Sequence, residues 1–139
     1  MGTSQLDLFT ADDAPALPLA RLSNNPNAYD PADCHWIRAE PMPGYVLRLG
    51  FARDTDGWHM AAGYHFPDVG SIGPVFVRSN AYPVYGDASR AGLERLRLMV
   101  NGLQLARTIS PDKAKRIREA IDNITQAAPC GLSLLKDAA

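Results

Sequence analysis

The stretch GYVLRLGFARDTDGWHMAAGY, residues 44–64, decides the fold. Tyr45, Leu47, Leu49 and Phe51 alternate with Val46, Arg48 and Gly50, the period of two expected of a strand buried on one face. Asp54-Thr55-Asp56-Gly57 then reads as a turn, with glycine where a positive φ is needed, and residues 58–64 return as the second strand of a hairpin. After a loop over 67–73, Pro74-Val75-Phe76-Val77 supplies a third short strand, its proline at the strand start where a missing N–H is tolerated. The expectation is a three-stranded antiparallel meander.

Downstream the period lengthens. Asp87 suits a helix cap, and Leu93, Leu96, Val100 and Leu103 recur at spacings of three and four, with Arg90, Glu94, Arg97 and Asn101 on another face. Ser110-Pro111 opens a second helix whose Ala114, Ile117, Ile121 and Ile124 form one stripe, ending before Pro129-Cys130-Gly131. Upstream, Asp30-Pro31 offers a cap followed by proline, so residues 31–39 are expected as a short helix with Cys34 and Ile37 inward, stopped by Pro41 and Pro43. Residues 10–28, with three prolines and no sustained period, read as a tether. The fold class expected is α+β: the three-stranded meander packed against two main helices, with an irregular N-terminal tail over 1–29 and a single domain over 30–139.

A chain of 139 residues is long enough to close one hydrophobic core without staples. No apolar run approaches the roughly 20 residues that span a bilayer, and no basic-then-apolar leader opens the sequence, so a cytoplasmic protein without a membrane role is expected. Cys34 and Cys130 stand alone and are expected as reduced thiols. The net charge of −1 hides an asymmetry: residues 90–118 hold eight basic side chains against Glu94 and Asp112. Seven of them, Arg95, Arg97, Arg107, Lys113, Lys115, Arg116 and Arg118, are candidate phosphate contacts if the helices bind DNA. Helices that merely solvate their outer faces show the same bias.

Near the start stand Gln5, Leu6, Asp7, Leu8 and Phe9. This QLDLF resembles the pentapeptide by which bacterial polymerases, repair proteins and replication regulators attach to the β sliding clamp. The resemblance implies a polar subsite for Gln5 and an apolar groove for Leu8 and Phe9, with Asp7 at a position commonly serine or aspartate. It makes the clamp the expected partner. Two leucines and a phenylalanine in an acidic, proline-containing segment also have no evident core of their own. The remainder, through Gly57-Trp58, Gly73-Pro74, Tyr82-Pro83 and the helix from Asp87, resembles small plasmid and phage proteins that bring no assigned activity. Its order of elements is also similar to a double-stranded-RNA-binding domain, but Asp87-Ala88-Ser89-Arg90 does not supply that family's basic helix start.

Other constellations carry less. Cys34, His35, His59 and His65 lack the two-to-four spacing of structural zinc ligands. A cysteine nucleophile, Cys34 or Cys130 with His59, requires convergence in space that no signature announces. Asp54 and Asp56 open like a calcium loop, but the remaining ligands are missing and a hairpin turn accounts for them. The reading is therefore a non-enzymatic, clamp-docking accessory or inhibitory protein without cofactor or metal, with DNA binding by the basic helices as the alternative.

Overall fold

The computed structural model describes residues 14–77 and 80–126. Four strands, β1 (His35–Met42), β2 (Tyr45–Asp54), β3 (Gly57–Phe66) and β4 (Val69–Ser71), form an antiparallel sheet in chain order, followed by helices α1 (Tyr85–Leu105) and α2 (Pro111–Gln126). The alternation in residues 45–51 and the turn at 54–57 produce the central hairpin, with Phe51 opposite Met60 and Asp54 opposite Gly57. Asp54 Oδ1 accepts the amides of Asp56 (2.8 Å) and Gly57 (3.1 Å), and Gly57 holds φ +137, where a Cβ would lie 2.4 Å from the Tyr82 carbonyl.

The expected three-stranded meander is corrected to four strands, for two local reasons. Asp30 does cap a turn, accepting the Ala32 amide at 3.0 Å, but the helix stops after Pro31–Asp33 and residues 35–42 pair with β2. Ile37 and Ala39, two apart, are buried on the helix side of the sheet, so a short stretch compatible with either period is settled by tertiary pairing. Pro41 sits where the register shifts between Ala39 and Met42, on an outer strand, which is where a strand accommodates proline. The other new strand, β4, falls in the expected loop, whereas residues 74–77 leave the sheet: among the described residues Phe76 bridges Ala28, and Val75 is buried against Tyr29 and Ala52.

Both helices cover one face. Leu93, Leu96 and Val100 of α1 and Ala114, Ile117 and Ile121 of α2 join Ile37, Leu47, Leu49 and Phe51 in the main core. Each large side chain contributes about 1.5–3 kcal/mol by burial. Gly92 lets α1 approach closely, since a Cβ there would meet Leu49 at 2.9 Å. Helix α1 begins at Tyr85 without a side-chain cap, and Asp87 instead pairs with Arg90 in the first turn; Ser110 Oγ accepts the Lys113 amide at the start of α2 (3.2 Å). Among the described residues no helix is long and apolar enough to cross a membrane.

The opposite face is covered by the segment read as tether and its continuation. The Ala20 amide donates to the Arg53 carbonyl (2.7 Å), Arg53 donates to the Leu17 carbonyl (2.6 Å), and Tyr29 donates through its amide to Val75 (2.9 Å). Arg21 clamps the buried Asp33 through Nε (2.8 Å), a second guanidinium nitrogen (3.2 Å) and its own amide (2.9 Å). Tyr29, Ala52 and Val75 form a second, smaller core.

Candidate functional site, an open strand edge beside a buried histidine

On β3 the residues facing the helices are Trp58, Met60, Ala62 and Tyr64, opposite Arg53, Phe51, Leu49 and Leu47, so His59 points to the other face. There its ring is 2 % exposed and tilts against Tyr29, with centroids 5.3 Å apart. Its Nε2 lies 2.8 Å from Asp54 Oδ2, the oxygen that also accepts the Tyr29 hydroxyl. Asp54 has no proton to offer when ionised, so the geometry places one on Nε2. The ring's Nδ1 is buried and has no hydrogen-bond partner among the described residues.

The charges follow from these contacts. Burial, the largest single influence on Asp54, pushes its carboxyl up, but hydrogen bonds from Tyr29, the Asp56 amide and His59 together hold it below the ordinary carboxylate range. Burial first, then the Asp54 carboxylate, push the Tyr29 hydroxyl far above its ordinary value. Cys34 lies in the same small core and donates to the Asp30 carbonyl (3.4 Å); burial, then Asp33 and Asp30, raise its thiol to about 11. A thiol held protonated is the reverse of an activated nucleophile.

His59 also lines a cavity of about 460 Å³ at the outer edge of β3, with Met60 and Ala62, Phe76 from the opposite face, Tyr82, and Arg95 and Met99 of α1. A shallower groove continues along α1 to Leu98, which is 61 % exposed. The volume falls in the range of small-ligand sites, about 300–1,000 Å³. A lining of mixed polarity that holds one guanidinium, that of Arg95, suits a ligand with a carboxylate. Of these residues the sequence pointed to His59 and Arg95, each for a different role; Tyr29, Met60, Phe76 and Met99 carry no motif that could have found them.

The residues singled out from sequence are dispersed. Gln5, Leu6, Asp7, Leu8 and Phe9 lie outside the described residues, as does Cys130. Of the basic set, Arg97 pairs with Glu94 (3.2 Å) and with Asp122 of α2 (3.0 Å), and Arg118 donates to Asn101 (3.2 Å) and Gln104 (2.6 Å) of α1. Lys113 bonds the Tyr45 hydroxyl (2.8 Å), and Arg107 occupies the turn between the helices at φ +61. Lys115 and Arg116 are exposed on α2, while Arg95 turns to the β3 edge. Three of the seven, Arg97, Arg118 and Lys113, tie the two helices to each other and to the sheet. His35 stacks near Phe51 on the helix side, and His65 is exposed, so the three histidines do not converge. Among the described residues no group of three or more His, Cys, Asp or Glu could hold a metal ion. Comparison with protein-family models, curated proteins and solved structures returned no match.

Proposed function

We propose that this protein is a non-enzymatic accessory or inhibitory factor of bacterial replication, acting in the cytoplasm, that docks on the β sliding clamp through Gln5, Leu6, Asp7, Leu8 and Phe9. The observation that carries the reading is the QLDLF sequence, which meets the preferences of the clamp-binding peptide at its glutamine, third, leucine and phenylalanine positions. Placing Leu6, Leu8 and Phe9 in a partner's groove yields about 1.5–3 kcal/mol each before ordering costs, so an affinity on the order of micromolar is expected of one peptide. The non-enzymatic part rests on the protonated Cys34 thiol and on a His59–Asp54 pair whose geometry serves a hairpin turn. DNA binding by the helices is not favoured, because Arg97, Arg118 and Lys113 are engaged within the domain.

The test is surface-plasmon titration of purified β clamp against the full chain and its Gln5→Ala, Leu8→Ala, Phe9→Ala triple variant. Saturable binding by the first, lost by the second, is expected. Equal binding by both, or by neither, refutes the reading.

A further inference from the structure

Among the described residues, the outer edge of β3 is paired at both ends and not between them. Trp58 exchanges both main-chain bonds with Tyr82 (2.8 Å each), and residues 64–66 pair with β4. Alternate residues of an antiparallel strand send their N–H and C=O to the same side, so Met60 and Ala62 direct theirs outward like Trp58. Among the described residues no main-chain group meets them there. From Trp58 to Tyr64 the strand advances about 20 Å at roughly 3.3 Å per residue, which leaves room for an extended segment of about three residues.

Exposed strand edges are ordinarily guarded by charge, proline or a bulge. The opposite edge of this sheet has all three, in Arg38 and Glu40, Pro41, and the register shift before Met42. The β3 edge instead offers Met60, Ala61 and Ala62 to a cavity. Arg95, exposed at this cavity, also has no ion pair among the described residues. A strand laid along Met60 and Ala62 would turn one side chain toward Arg95 and Met99 and the next toward Phe76 and His59.

We propose that this edge takes up a short extended segment of a partner protein by strand addition, with an acidic side chain of that segment on Arg95. Main-chain bonds to Met60 and Ala62 supply the attachment, and the guanidinium supplies the selection. This site is separate from the clamp-docking peptide and does not depend on it.

The experiment uses the full chain labelled with ¹⁵N. In the free protein the Met60 and Ala62 amides should exchange with solvent at least about tenfold faster than those of Ala61 and Gly63, which face β2. Equal protection of all four means the edge is already covered and overturns the proposal. A blocked pentapeptide of valines with a central aspartate is then titrated in. Saturable shifts centred on Met60 and Ala62 are expected. They should weaken about tenfold when the peptide main chain is N-methylated, and about tenfold when lysine replaces its aspartate, with the last preference reversed in Arg95→Glu. No binding, shifts centred elsewhere, indifference to N-methylation, or an Arg95→Glu variant that does not reverse the charge preference would each sink it.

Discussion

Removing the Asp54 carboxylate tests the site most directly, because one side chain there serves four donors. Asp54→Ala strips acceptors from the Tyr29 hydroxyl and His59 Nε2, both on residues no more than 3 % exposed, and from the Asp56 and Gly57 amides in the turn. Two buried polar groups left unsatisfied cost about 1–3 kcal/mol each, and the lost turn bonds add roughly 1 kcal/mol. Because the Asp54 side chain is itself 22 % exposed, water can replace part of what is lost, which puts the expected loss at about 3 kcal/mol. Asp54→Asn behaves differently. Its carbonyl keeps the turn, and its NH₂ donates to His59 Nε2, forcing the ring proton to Nδ1; the Tyr29 O–H and the buried Nδ1–H are left without acceptors, at a cost of about 2 kcal/mol. Urea unfolding followed by tryptophan fluorescence measures both losses, and ¹⁵N shifts of the imidazole read the tautomer. An alanine variant within 1 kcal/mol of wild type, or an asparagine variant that keeps the proton on Nε2, would refute the reasoning.

Three further outcomes are expected. Gly57→Ala should cost about 3 kcal/mol, since it combines strain at φ +137 with a Cβ 2.4 Å from the Tyr82 carbonyl; hydrogen exchange should show the Trp58 and Tyr82 amides losing protection before the rest of the sheet, and unchanged protection would count against it. In a Cys130→Ser background, Cys34 should react with iodoacetamide about 100-fold more slowly at pH 8 than a free cysteine, with a rate that climbs until pH is about 11; because the folded pKa is raised, the stability Cys34 contributes is complete below about pH 9 and is lost as pH rises through about 11. Asp33 is held low by hydrogen bonds from the Arg21 side chain and amide, so its contribution is present above about pH 3.9 and is lost as pH falls through its lower folded value; the stability gap between wild type and Asp33→Asn, measured by urea unfolding, should close in acid.

Local rules carried much of the architecture. Alternation over residues 45–51, the aspartates and glycine at 54–57, and the stripes through Leu93, Leu96, Val100 and Ala114, Ile117, Ile121 each name an element and its buried face without outside help. Residues 31–39 misled because Asp30 caps a real turn, and nothing local says that it lasts three residues. Residues 74–77 misled differently. Their β-rich composition is satisfied, but by a bridge to Ala28 and by burial of Val75 beneath residues distant in sequence. The cavity was illegible for the same reason: Met60, Phe76, Tyr82 and Arg95 come from four segments, and only the paired strands bring them to one edge. His59 was visible as a titratable residue, but its partner Asp54 reads as a turn former, which it also is.

The edge of β3 left unpaired among the described residues and the covering of the sheet's second face have one cause. After β4 the chain could have run back along β3; instead residues 75–77 cross to the far side, where the Val75 carbonyl accepts the Tyr29 amide and the Val77 amide donates to Asn27 (2.8 Å). Main-chain groups used there cannot also pair with Met60 and Ala62. The crossing places Val75 over Ala52, and it is against this layer that Tyr29 reaches Asp54 and fixes His59. A second helical layer would have covered that face and left the chain free to finish the sheet. With a strap in its place, the sheet gains a small polar-centred core on one side and, among the described residues, keeps two outward rungs unpaired at its border, beside Arg95.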